Sequence, residues 1–261
     1  MARRLAIGSV QLSDRAPRIV AAGGEAELAA LAAADGADLV ELRADLCEEP
    51  RPETLPALLA RLRAGGRPLI LTARAAAEGG RPMDEARRRA LYTSGLPHAD
   101  AIDVEIASTA LAAELVPQAR AAGKTVVLSA HVLHSTPPAA ALLGLIDRAE
   151  ALGADVTKLV THARDLDDLR VLLEVTLVAR ARGIVTLATG PAGPLSRVVL
   201  PAAGSLLTYG HVGRPTAPSA GHRRGDPAFE RGRHRLARAG CGRDVPRARD
   251  AARLPVERPT C

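Results

Sequence analysis

Residues 125–160 read TVVLSAHVLHSTPPAAALLGLIDRAEALGADVTKLV, and the fold is decided there. An apolar, β-branched run, Thr125–His131, gives way at Thr136-Pro-Pro138 to an Ala/Leu-rich segment of helical period over 138–152. That segment breaks at Gly153-Ala-Asp155, and a second apolar run follows, Val156–Val160. Near-continuous apolar runs are what strands buried on both faces of a parallel sheet require, whereas a half-buried strand alternates. Glycine after the helical segment is the usual helix stop. The stretch therefore predicts strand, helix and parallel strand, with a crossover long enough to join parallel neighbours.

The same unit repeats on both sides. Strands are expected from 18, 38, 68, 101, 125, 155, 183 and 205, with helices over 24–35, 52–64, 83–94, 107–122, 138–152, 165–181 and, briefly, 194–202. Eight strands with seven intervening helices predict an α/β protein of the (β/α)₈ TIM-barrel class, and a doubly wound open sheet is the rival. Residues 5–12 are expected to add a strand closing the barrel floor. After the last strand the pattern fails. Residues 220–261 bring Gly, Pro and Arg at short intervals with no amphipathic stripe, so the eighth helix is expected to be missing or replaced by an irregular, largely disordered tail. The expected division is a barrel domain over 1–219 and an Arg-rich tail over 220–261.

Composition narrows the function. Hydrophobic content is 47%, yet no run of about 18 apolar residues occurs and the N-terminus lacks the apolar stretch of a secretory signal. A soluble, cytoplasmic protein with no membrane partner is expected. Three cysteines, Cys47, Cys241 and Cys261, are far apart and form no CxxC pair, so neither a disulfide framework, a metal site nor a cofactor is indicated. The net charge of +6 is confined to one end: residues 220–261 hold eleven Arg, no Lys and five acids. A nucleic-acid-binding protein acting through that tail is an alternative. The tail has a single aromatic, Phe229, and is broken by acids and prolines, so no nucleic-acid partner is expected. Salt-sensitive DNA binding that disappears on deleting 220–261 would support the alternative.

In such barrels the chemistry sits at the C-terminal ends of the strands. Lys158 is the most informative residue there, because the chain has two lysines and the other, Lys124, precedes a strand. Burial would lower its pKa and free an amine to attack a carbonyl, which an arginine cannot do. The plainer reading pairs its ammonium with Asp103 or Glu105. His131 ends the preceding strand and is suited to general acid/base work, with Glu78 able to orient its ring. Arg43, Arg74 and Arg197 would form a cationic rim for a carboxylate substrate.

These residues fall into motifs: Glu41-Leu-Arg43-Ala-Asp45, Thr72-Ala-Arg74 leading to Glu78-Gly-Gly80, Asp103-Val-Glu105, and Ser129-Ala-His131 with Thr136-Pro137. Gly153-Ala-Asp155-Val-Thr-Lys158, Gly190 through Gly193 to Ser196-Arg197, Gly204-Ser205 and Thr216-Ala-Pro218 complete the series. In order and spacing, over about residues 18–218, the chain resembles the type I 3-dehydroquinate dehydratases of the shikimate pathway. The resemblance implies a metal-free lyase, monomeric or homodimeric, that converts 3-dehydroquinate to 3-dehydroshikimate and water. It implies that Lys158 forms an imine with the substrate ketone, that His131 moves the protons and that Glu78 holds His131. It further implies substrate binding by Glu41, Arg43, Arg74, Arg197 and Thr216. A different Schiff-base barrel enzyme, such as a class I aldolase, is the rival within the fold; Glu78-Gly-Gly80, His131 and Ser196-Arg197 together argue against it.

The resemblance ends abruptly. The family continues Ser/Thr-Ala-Pro-Gly-Gln into an eighth helix, where this chain has Thr216-Ala-Pro218 and then Ser219-Ala220-Gly221. The onset of an Arg-rich, Lys-free composition at the same place suggests, as a hypothesis, a shifted reading frame in GC-rich coding DNA. Resequencing across the codons for Pro218 to Gly221 tests it, and an intact frame with no Gly-Gln helix in another frame would sink it. A barrel without that helix would lose several hundred Å² of apolar burial, on the order of 10 kcal/mol.

Overall fold

The structure, a computed structural model, describes residues 5–212. A short hairpin comes first, strands β1 (Ala6–Ile7) and β2 (Val10–Gln11). Eight strands follow: β3 (Arg18–Gly23), β4 (Leu39–Arg43), β5 (Leu69–Thr72), β6 (Ala101–Glu105), β7 (Thr125–Val132), β8 (Val156–His162), β9 (Ile184–Thr189) and β10 (Leu207–His211). Between them run helices α1 (Leu28–Ala32), α2 (Leu55–Arg63), α3 (Glu85–Gly95), α4 (Thr109–Ala121), α5 (Ala139–Leu152), α6 (Leu166–Ala179) and α7 (Gly193–Ala202). All eight long strands form one parallel sheet in the order β10-β3-β4-β5-β6-β7-β8-β9. No ladder joins its two outer strands, but the amide of Leu206 just before β10 donates to the Ile184 carbonyl on β9 at 2.9 Å, which brings the ends together. This is a nearly closed (β/α)₈-type barrel, as the sequence predicts.

Period two along each strand divides its residues between two cores. One face, including Val40, Leu42, Leu71, Ile102, Val104, Val126, Leu128 and Leu159, packs against the helices. The other points into the barrel, where Val20, Leu39, Ile70, Ala101, Val127, Val156, Val185 and Leu207 form an apolar plug. The floor differs from expectation in one respect. Residues 5–12 form a hairpin instead of one strand, because Gly8, at φ +55°, turns the chain after two residues. Ile7 and Leu12 still seal the plug from below.

Ile19 on the outer face of β3, Leu195 and Val198 on α7, and Leu166, Leu177 and Val178 on α6 are exposed apolar residues. The expected tail and the missing eighth helix lie outside the described residues. Among the described residues, no helix is long and apolar enough to cross a membrane.

Candidate active site

Beyond the apolar plug, four strands turn polar at the next inward position. On β4, β6, β7 and β8 that position holds Glu41, Asp103, Ser129 and Lys158, two residues after Leu39, Ala101, Val127 and Val156. Lys158 is buried, and its Nζ donates to Asp103 Oδ2 at 2.9 Å and to Glu41 Oε2 at 3.4 Å. Asp103 is gripped from three sides. Arg74 Nη2 donates to its Oδ2 at 2.9 Å and Ser129 Oγ to its Oδ1 at 2.5 Å. Burial alone would raise the Asp103 pKa, but the Arg74 guanidinium and the Lys158 ammonium reverse that and hold it far below the usual carboxylate range.

Arg74 continues the network outward. It donates to Glu105 Oε1 at 3.0 Å and to Ser129 Oγ at 2.6 Å. Glu105 accepts in addition from the Ala75 amide at 2.9 Å and from Arg88 on α3, which also donates to the Ala73 carbonyl at 2.8 Å. Three buried cations, Arg74, Arg88 and Lys158, thus face three buried carboxylates, Glu41, Asp103 and Glu105. Buried charges persist only when paired and hydrogen-bonded in this way.

His131 lies two residues beyond Ser129, so both face inward, and β7 pairs with β8 so that Ser129 stands opposite Lys158 and His131 opposite Val160. Glu78 Oε2 is 2.9 Å from His131 Nδ1 and accepts from the His131 amide at 2.9 Å. The Glu78-Gly-Gly80 motif explains how the loop delivers that carboxylate. Glu78 ends a 3₁₀ turn, Ala76–Glu78, which Gly79 stops at φ +87°, and a side chain at Gly80 would collide with the Arg74 carbonyl. Burial pushes the Glu78 pKa up to about 7. Burial likewise holds the His131 imidazole neutral, well below its ordinary pKa, with the Arg74 and Lys158 charges adding to the effect. A neutral imidazole whose Nδ1–H donates a hydrogen bond to a carboxylate presents Nε2 as a base.

Arg43 makes a two-pronged pair with Asp45, Nε to Oδ1 at 2.8 Å and Nη2 to Oδ2 at 2.7 Å. Arg197, on α7, differs. Its Nη1 donates to the Ala188 and Gly193 carbonyls at 3.0 Å each and its Nε to the Tyr209 carbonyl at 3.2 Å, with no carboxylate partner among the described residues. Burial without a counter-ion lowers its pKa.

This constellation of a buried lysine, a carboxylate-held histidine and an arginine without an anion can be set against known proteins. The family model described as type I 3-dehydroquinase matches residues 20–222. The chain belongs to the type I 3-dehydroquinase family. It is 35% identical over 206 residues to the 3-dehydroquinate dehydratase of Methanocella arvoryzae, covering 78% of this chain and 91% of that protein. It is similar to the crystal structure of 3-dehydroquinate dehydratase from Geobacillus kaustophilus, with TM-score 0.76 and 25% identity over 90% of this chain and 95% of the other. The same fold appears, at 24% identity and TM-score 0.78, in the type I 3-dehydroquinate dehydratase of Clostridium difficile with covalently modified comenic acid, covering 92% of this chain and 99% of that one.

The barrel brings together Glu41, Lys158, His131, Glu78 and Arg74, each named from the sequence of this family member. One expectation needs revision. Arg74 is not at a rim: its side chain is 2% exposed, and Nη1 and Nη2 are committed to Asp103, Glu105 and Ser129. The plainer reading of Lys158, an ammonium paired with Asp103 or Glu105, is met at Asp103, and Glu41 is a further partner. Thr216 lies outside the described residues. Sequence reading passed over Arg88 and Tyr209. Arg88 shares a helical face with Leu91, Tyr92 and Gly95, all buried, and an arginine on an apolar stripe is the signal that could have found it.

Proposed function

We propose that this chain converts 3-dehydroquinate to 3-dehydroshikimate and water through an imine on Lys158. The observation that carries the reading is the placement of Lys158 Nζ between Asp103 and Glu41, one strand from the His131–Glu78 pair. The Lys158 ammonium passes a proton to the His131–Glu78 pair, and Nζ attacks the substrate ketone as the free amine. The pair returns that proton as the carbinolamine loses water, and the protonated imine draws electrons from the neighbouring carbon. His131 Nε2 takes the proton from that carbon, and the same imidazolium returns it to the departing hydroxyl as water. Water then releases the product and restores the lysine. The carboxylates that pair with the ammonium stay beside the same nitrogen when it carries the imine's charge.

Arg197 is the proposed clamp for the substrate carboxylate, because its part-buried guanidinium has no carboxylate partner among the described residues. Glu41 and the outer edge of Arg43 are the proposed partners of the substrate hydroxyls. Arg74 acts from beneath by fixing Asp103, and Thr216 remains a proposed contact from sequence alone. Incubating the full chain with 3-dehydroquinate and following the absorbance of the conjugated product tests the reading. Turnover that Lys158→Met abolishes supports it; undiminished turnover in that variant sinks it.

A further inference from the structure

Lys158 has a third neighbour besides its two carboxylates. The ring of Tyr209, on β10, lies over Nζ with its centroid 4.0 Å away. The same residue's carbonyl accepts from Arg197 Nε at 3.2 Å, so one position on β10 touches both the amine and the arginine. The Tyr209 hydroxyl is buried on the Glu41 side of the site, and the ring face is the part of the side chain that meets the amine. Burial, with the Glu41 and Asp103 charges, holds that phenol protonated well past its ordinary range. Tyr209 therefore faces Nζ as a neutral aromatic ring.

We propose that Tyr209 is a further catalytic residue, whose ring face stabilises the positive charge that develops on Nζ as the carbinolamine becomes the protonated imine. The proposal rests on the reading of Lys158 as the imine-forming residue. In that step the carbon–oxygen bond breaks and the hydroxyl leaves as water with a proton from the His131–Glu78 pair. The nitrogen lone pair becomes the second C=N bond, and Nζ takes the charge; nothing is oxidised or reduced. Asp103 and Glu41 also attract that charge, but a carboxylate is a base and can accept the proton. An aromatic face attracts the cation without being able to neutralise it, and a desolvated contact of this kind alters a cation's population by roughly tenfold or more.

The composition of the chain makes the test unusually clean, since it contains two tyrosines, one phenylalanine and no tryptophan. With Tyr209→Phe and Phe229→Leu, position 209 holds the sole phenylalanine, and growth on phenylalanines carrying zero, one, two or three ring fluorines places each there alone. Fluorine drains the ring face of electron density at nearly constant shape. The rate at which borohydride fixes the 3-dehydroquinate adduct at saturating substrate, read by intact mass on protein shown folded by circular dichroism, is expected to fall stepwise to about a tenth. Should that chain fail to fold, the unaltered chain grown on fluorinated tyrosines replaces only Tyr92 and Tyr209, and the same decline is expected. A flat rate across the series, in a parent that does form the adduct on Lys158, overturns the proposal alone. A wild-type chain with no adduct on Lys158 overturns the reading of the lysine and this proposal with it.

Discussion

The two ends of the barrel are built from the same strands and the same inward faces, yet they do opposite things. Toward the N-terminal ends the inward residues are Val20, Leu39, Ile70, Ala101, Val127, Val156, Val185 and Leu207, capped by Ile7 and Leu12 from the hairpin. Two residues further along, on β4, β6 and β8, stand Glu41, Asp103 and Lys158. The step is about 7 Å along a strand. Below it, burial removes apolar surface from water and stabilises the fold. Above it, burial places charge where charge is costly, and each group is tolerated through its partners. The lower end supplies stability and the upper end supplies chemistry.

That division is open to attack by substitution, and the largest effect belongs to Lys158. Lys158→Met should lower turnover about 10⁴-fold or more, because among the described residues no other amine lies in the barrel interior. An initial-rate assay on protein shown folded by circular dichroism checks this. Residual activity within a hundredfold of wild type would mean that the upper end does not work through an imine.

Next come the groups that serve the lysine. Arg197→Leu should raise KM about 10²-fold and change kcat much less, since it removes the proposed anion clamp and leaves the reacting atoms alone. Steady-state kinetics separates the two terms. Glu78→Gln should lower kcat by about 10²-fold, through loss of the carboxylate that orients His131. In the wild type, activity should fall as pH drops through about 7, where Glu78 takes up a proton and no longer fixes the ring; the glutamine variant should lack that limb.

Stability should move the other way at Glu78. Its folded pKa is raised, so folding favours the protonated form; the stabilisation is present at low pH and is lost as pH rises toward and through about 7. Glutamine cannot ionise. Glu78→Gln should therefore match the wild type near pH 4 and exceed it by up to about 3 kcal/mol at pH 8, as read by urea denaturation. A variant less stable at both pH values would show that the site is not held at a cost. The smallest effect on catalysis belongs to the plug. Leu39→Ala, two residues from Glu41, should cost about 3 kcal/mol of stability and leave kcat per folded molecule within about twofold of wild type.

Much of this was legible in the sequence, for a physical reason. Parallel strands buried on both faces are written as apolar runs, so Thr125–His131 and Val156–Val160 announced β7 and β8 directly. The hairpin at the floor was less visible, although Gly8-Ser9 between two apolar pairs carried its signal. The site was legible wherever a residue's chemistry is local. Lys158 stood out because lysine is rare in this chain, and His131 because it ends a strand. The network was not legible, because it is assembled across strands. Whether Arg74 lies at a rim or buried in the charged network depends on carboxylates contributed by β6, and no single strand records that. Tyr209 was hidden for the same reason, its ring meeting an amine carried by another strand.

The measurement that bears most directly on the division between the two ends is borohydride reduction of the full chain in the presence of 3-dehydroquinate, followed by intact mass and peptide mapping. A single reduced adduct on Lys158, absent in Lys158→Met, is the predicted result. A folded protein that yields no adduct, or one labelled at Lys124 beneath the plug, would contradict it.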